Sequence, residues 1–240
     1  MSGFNIAPGE QKDINIRLNI PVDADYHHPL RKNYEPLWDL ENFSCIIGVG
    51  DLGEKNLLPS NPILVVPPVN LSWEASGLFF NRLTDGDPIN ATLSVDKFTE
   101  MDGDIEIGLD TPNGWQAMPP SYKVKKGELE DSSKFNFVIS GPTNSERLEM
   151  TPYAKSGDTR VEENVLMMEY DHIRNTCTIG ANTLAVQPID LEIPARLKVG
   201  YVDRGADRVN FWLNRFGVDV TMLSVDDLKT LDLGIYDTIV

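Results

Sequence analysis

Three histidines, His27, His28 and His172, are the whole supply of imidazole in this 240-residue chain. Any triad or zinc site built on histidine must use one of them. His27 and His28 are adjacent, and neighbours in an extended chain point to opposite faces, so they chelate poorly by themselves. His172 follows Tyr170-Asp171 at a predicted strand end, where a solvated turn imidazole and a ligand contact are both open readings. A second candidate set is Asp203-Arg204-Gly205-Ala206-Asp207. It follows a predicted parallel strand, at the end of such sheets where ligands gather. One glycine in place of GxGxxG disfavours a dinucleotide cradle there, and the sequence contains no GxSxG elbow or P-loop. Asp85-Gly86-Asp87 and Asp102-Gly103-Asp104 lack the ladder of oxygen ligands and the flanking helices of an EF-hand and read as acidic hairpin turns. Trp115, with Trp73, Phe79 and Phe80, could offer flat faces to pyranose rings. The competing expectation is that these four aromatics pack in the core, Trp115 folding inward behind Asn113-Gly114. The ligand-contact candidates are therefore Trp115, His172, Asp203, Arg204 and Asp207, with no residue assigned to catalysis, a cofactor or a metal.

The elements that must position these groups are mostly strands. Ile14, Ile16, Leu18 and Ile20 alternate with polar residues, the pattern of a half-buried antiparallel strand. The order of aromatic, Gly-Glu, alternating strand and proline in Phe4–Pro21 recurs in Tyr122–Pro142, which suggests two β-sandwich modules of similar build, the first represented only by its C-terminal portion. Val22–Ser60 reads as loops with one or two strands, and Pro62–Trp73 as a linker strand punctuated by Pro67-Pro68. Seven short strands follow, around Leu78–Phe80, Ala91–Val95, Ile105–Leu109, Tyr122–Val124, Phe135–Ile139, Leu148–Tyr153 and Val165–Tyr170. Turn residues separate them at the spacing of an immunoglobulin-like sandwich. His172–Pro194 reads as a connection.

From Arg196 the pattern changes. Leu197, Val199 and Tyr201 predict a strand, and Val209, Trp212, Leu213 and Phe216 recur at i, i+3, i+4 and i+7, one apolar helical face. Gly217 stands where a left-handed cap belongs. Val218, Val220 and Met222 predict the next strand, Ser224 with Asp227 a helix start resembling a capping box, and Ile235–Val240 a third strand. The expected fold is mainly β: a partial β module over 1–60, an immunoglobulin-like β-sandwich over 61–195, and a truncated parallel βαβαβ module over 196–240. Its last strand would leave an apolar edge. The expectation is that the sandwich or a second copy of the chain covers that edge, or that the tail is poorly ordered.

A formal net charge of −16 and a pI near 4.5 repel phosphate backbones and anionic lipid, which argues against nucleic-acid and membrane-surface roles. No apolar run reaches the length of a membrane span, and no signal peptide precedes the first strand-like segment. Cys45 and Cys177 form no CxxC pair; one disulfide and two free thiols are both open.

Met168-Glu169-Tyr170-Asp171-His172-Ile173 and Leu197-Lys198-Val199-Gly200-Tyr201 resemble the C-terminal region of large bacterial PIG-L/LmbE-type deacetylase proteins. Phe216–Leu223 and Asp232–Val240 are similar to its continuation, and Val65–Val69 and Pro112–Trp115 to its upstream β region. The resemblance covers residues 62–240. It implies a parent in which a separate Rossmann-like domain, carrying a His-Pro-Asp-Asp motif, uses a zinc-bound water to cleave an N-acetyl group from an amino sugar. That motif does not occur here, so no catalytic residue carries over and zinc is expected only in the parent's other domain. The loop at Asp203–Asp207 departs from the family's pattern. The resemblance implies a non-catalytic accessory region whose partners are the rest of the parent chain and a glycan, in a periplasmic or extracellular setting. The alternative is a stand-alone carbohydrate-binding module, and an enzyme with its site at the β/α strand ends ranks behind both.

Overall fold

A computed structural model describes residues 9–10, 26, 45–48, 53–57, 64–84, 88–142, 146–172, 175–203, 205 and 207–240. Apart from residues 9 and 10, the expectations for Phe4–Pro21 lie outside these residues, as do the turn Asp85–Asp87 and the candidates His27, His28 and Arg204. Within 1–60, strands β1 (Cys45–Gly48) and β2 (Glu54–Leu57) form an antiparallel pair.

From there the chain runs through β3 (Val69–Trp73), β4 (Gly77–Asn81), β5 (Ile89–Lys97), β6 (Ile105–Asp110), β7 (Gln116–Met118), β8 (Ser121–Val124), β9 (Ser132–Ser140), β10 (Leu148–Ser156), β11 (Thr159–Val161), β12 (Glu163–Met168), β13 (Thr176–Ala181) and β14 (Leu184–Ile189). One sheet has the order β3-β5-β9-β7, all antiparallel. The other has the order β4-β14-β10-β6-β8, with β11 added to the far end of β10 and a parallel contact between β4 and β14. The chain changes sheet between β3 and β4: Glu74 still donates to Thr92 of β5, while Ser76 already accepts from Ala185 of β14.

Period-two alternation builds the shared core. On β5, Ile89, Ala91, Leu93 and Val95 are buried while Asn90 is exposed. Phe137 and Ile139 from the same sheet meet Leu78, Phe80, Ile107, Met150, Leu184 and Val186 from the other. Fully burying a side chain of this size contributes about 1.5–3 kcal/mol, so these two inner faces are the main reason the sheets stay together. The architecture is a β-sandwich.

Three strand expectations are corrected. Val165–Tyr170 does not join the sandwich sheets; among the described residues β12 pairs only with β13. β13 and β14 arise in the stretch that reads as a connection. Pro188 hides β14 from the sequence, because proline lacks a ladder donor. Yet β14 pairs with β10 only through Val186, so Pro188 lies past the point where β10 asks for one. Pro152 is tolerated inside β10 on the same grounds: Thr151–Tyr153 pair with β6 but with neither β14 nor β11. The stretch read as a linker strand becomes a full sheet member, β3, since Pro67-Pro68 end just before Val69.

The C-terminal segment contains β15 (Lys198–Val202), α1 (Val209–Arg215), β16 (Asp219–Leu223), α2 (Asp227–Thr230) and β17 (Thr238–Ile239). The three strands form a parallel sheet in the order β16-β15-β17. Gly217 has φ +79° just after α1, the left-handed conformation that a cap there requires. Ser224 and Asp227 exchange bonds: Asp227 N donates to Ser224 Oγ at 3.2 Å, and Ser224 N donates to Asp227 Oδ2 at 2.7 Å. The sandwich does not cover the last strand, in which Ile239 is 39% exposed, nor Val240 beside it, 55% exposed.

Candidate functional site

Leu78-Phe79-Phe80 puts three apolar side chains in a row on β4, and alternation can turn only two inward. Leu78 and Phe80 enter the core, leaving Phe79 on the outer face. Helix α1 meets it there. The Phe79 ring lies 5.4 Å from Trp212 and 5.3 Å from Phe216, and Phe211 packs edge-on against Trp212 at 5.1 Å. The apolar helical face is thus divided, with Trp212 and Phe216 turned toward the sandwich. Two guanidinium groups tie the junction: Arg215 Nη2 donates to the Asn90 carbonyl at 2.7 Å, and Arg208 Nη1 to the Glu74 carbonyl at 3.4 Å.

The contact does not fill the space between helix and sandwich. On one side lies a groove of about 670 Å³, lined by Phe79, Asn90, Asn210, Trp212, Arg215 and Phe216 among others. On the other lies a shallower concavity of about 690 Å³ bounded by Trp73, Glu74, Arg147, Gln187, Arg208 and Trp212. Both volumes fall in the range of small-ligand sites, and both mix aromatic faces with a few polar groups. The indole Nε1 of Trp73 is buried with no hydrogen-bond partner among the described residues.

None of Trp115, His172, Asp203 and Asp207 lines either hollow, and Arg204 lies outside the described residues. Trp115 is 5% exposed, its ring edge-on to Phe80 at 5.1 Å, and Gly141 sits so close that an added Cβ would lie 2.2 Å from the indole. The inward reading holds for this ring, which has no free face for a pyranose. His172 is exposed, 6.0 Å from the Tyr170 ring. Asp203 and Asp207 are engaged in their own loop. Asp203 Oδ1 accepts from Gly205 N at 2.6 Å; Asp207 Oδ1 accepts from Val209 N at 3.1 Å and from the Tyr201 hydroxyl. The hydrogen bond to Asp207 comes first, with burial, in pushing the Tyr201 phenol up to about 12, and the same bond holds the Asp207 carboxyl below its ordinary value. The strand order β16-β15-β17 does put this loop at a topological switch point, where parallel sheets collect ligands. Its carboxylates, however, are spent on fixing the loop and the start of α1.

Among the described residues no three His, Cys, Asp or Glu side chains gather as a metal set. No helix of the described residues is long and apolar enough to cross a membrane. The core expectation is corrected for Phe79, which alternation leaves on the outer face of β4; sequence reasoning reads Trp212 and Phe216 as a helix face and misses Asn90 and Arg215. The three-residue apolar run on β4 was the available signal, since alternation along a strand turns at least one of the three side chains out of the core.

No family model matches this chain, and no curated protein does. Among solved structures it is similar to the ASH/PapD-like domain of human CEP192 (PapD-like domain 7), at 12% identity, covering 57% of this chain and 95% of that one, with a TM-score of 0.29. A likeness so slight carries no argument; the sandwich assignment rests on the two sheets and their common core.

Proposed function

We propose that this chain works by binding rather than by catalysis, as a β-sandwich accessory region that holds a glycan for an amino-sugar N-deacetylase of the PIG-L/LmbE type. The observation that carries the binding reading is the groove between β4 and α1. Phe79, Trp212 and Phe216 supply flat apolar faces, and Asn90 and Asn210 supply amides, the two kinds of contact that a sugar ring with one apolar face and a rim of hydroxyls needs. The link to a deacetylase rests on the sequence resemblance over 62–240, and the periplasmic or extracellular setting comes with it. Zinc and the hydrolytic step belong to the partner domain in this reading.

Calorimetric titration with chito-oligosaccharides tests it. The chain should bind, and Trp212→Ala should weaken binding by about tenfold, 1.4 kcal/mol, while the melting curve of the sandwich persists. Saturating ligand without heat, or undiminished affinity in the variant, would sink the groove as the site. Turnover of an N-acetyl sugar by the purified chain with added zinc would sink the non-catalytic reading. The second reading, a carbohydrate-binding module that needs no deacetylase, uses the same groove. It is favoured if binding extends to glycans without N-acetyl groups.

A further inference from the structure

Cations are scarce in this chain, 21 Lys and Arg against 37 Asp and Glu, and several of those on the sandwich are taken by carboxylates. Arg82 pairs with Asp190, Lys97 with Glu100, Arg147 with Glu149, and Arg160 with Asp110 and Glu162. Arg208 and Arg215 depart from this pattern. Their hydrogen bonds among the described residues go to main-chain carbonyls. Their guanidinium carbons lie 4.4 and 4.9 Å from the centre of the same ring, Phe211. Arg215 is half-buried; loss of water comes first and pulls its pKa down, the Glu74 carboxylate pulls it up, and the charge of Arg208 pulls it down. A guanidinium carries five N–H donors in a planar fork, and Arg215 uses one of them on Asn90. The rest of the fork belongs to a residue that lines the groove, while Arg208 lines the concavity on the other side of the Phe79–Trp212 contact.

Two neighbouring cations are held against one ring, one of them short of water, and among the described residues neither forms an ion pair, the Glu74 carboxylate acting on Arg215 only from beyond ion-pair distance. That arrangement suits a site whose counter-charge arrives with the ligand. We infer that the ligand is an anionic sugar chain, a uronic-acid oligosaccharide. One carboxylate is received by the fork of Arg215 in the groove, and a second charged unit lies toward Arg208 beyond the Phe79–Trp212 contact. This inference rests on the glycan reading of the groove, which both functional readings share, and moves its ligand class from neutral sugars to sugar chains that carry carboxylates.

The test is titration of the purified 240-residue chain, at low and high salt, with an oligogalacturonate and with its carboxyl-reduced, neutral counterpart. The charged oligomer should bind at least tenfold more tightly, and added salt should narrow the gap. R215Q should remove most of the preference, R215K should keep part of it because the charge stays while the fork is lost, and K126Q should leave it unchanged. Equal affinity for the two oligomers overturns the inference and leaves the neutral-glycan reading standing. Binding of neither oligomer, with chito-oligosaccharides also silent, overturns both. A polyglutamate peptide that binds as tightly as the oligogalacturonate overturns the sugar assignment. Should R215Q fail to fold, the comparison of the two oligomers on the unaltered chain, with R215K, decides.

Discussion

The main-chain N–H of Val165 donates to the side-chain oxygen of Asn70 at 2.7 Å, so that a side chain takes the place of a ladder bond between β12 and β3. Around it, Asn164 Nδ2 and Asn182 Nδ2 each donate to the Leu71 carbonyl at 2.9 Å. Asn70 Nδ2 in turn donates to Asp96 Oδ2 at 3.2 Å. The β12–β13 hairpin is therefore clasped to the edge of the sandwich by three asparagines. This also covers an edge that would otherwise present unpaired backbone groups.

Asn70→Ala should release that clasp. It strands the Val165 N–H in a buried position, which costs about 1–3 kcal/mol. Urea denaturation should show the loss, and hydrogen exchange should place it, with the amides of β12 and β13 losing protection before those of β5 and β9. Uniform loss across both sets would contradict a local clasp.

Gly141→Ala should destabilise the sandwich through Trp115. The new methyl meets the indole at 2.2 Å, an overpacking that costs about 1–3 kcal/mol, or a fall of a few degrees in Tm for a chain of this size. Trp115→Ala should cost more, about 3–5 kcal/mol, because a buried aromatic leaves a cavity. Thermal unfolding of both variants checks the order.

The Tyr201–Asp207 pair predicts pH behaviour at both ends of the scale. Tyr201 has its phenol pushed up to about 12, so its contribution is intact below the ordinary value of about 10 and is lost as pH rises through about 12. Asp207 is held below its ordinary value. Its contribution is present above the unfolded carboxylate value of about 3.9 and is lost as pH falls through the lower folded value. Ultraviolet titration should show a tyrosine ionising near pH 12 that moves down toward 10 in Asp207→Asn. No movement would contradict the assignment.

Cys177 is a buried free thiol whose pKa is pushed up by burial. It should resist iodoacetamide at pH 8 in the folded chain and react fully in 6 M guanidinium, as peptide mapping can show. Rapid alkylation under native conditions would mean that β13 opens readily.

Much of the fold is legible because it is written locally. Period-two alternation predicts the core strands β5, β6 and β9, and the i, i+3, i+4, i+7 spacing with Gly217 behind it predicts α1 and its stop. Ser224 and Asp227 mark the start of α2 three residues apart, and their bonds form as that spacing predicts. The sequence misled where a local rule depends on a neighbour. Pro188 forbids a strand only if a partner asks for its N–H, and β10 has already ended there.

The sequence by itself determined the class of architecture and the absence of a GxSxG elbow, P-loop or His-Pro-Asp-Asp motif, since these follow from residue type and spacing along the chain. Only the tertiary structure decided what meets Phe79. Residues some 130 positions apart, Phe79 and Trp212, come within 5.4 Å, and Asn90 meets Arg215 across a similar distance in sequence. Such contacts are set by how two separately formed surfaces pack, and no local periodicity encodes them. For the same reason the loop Asp203–Asp207, which its position marks as a ligand site, turned out to spend its carboxylates on its own geometry, while the open groove formed at the junction instead.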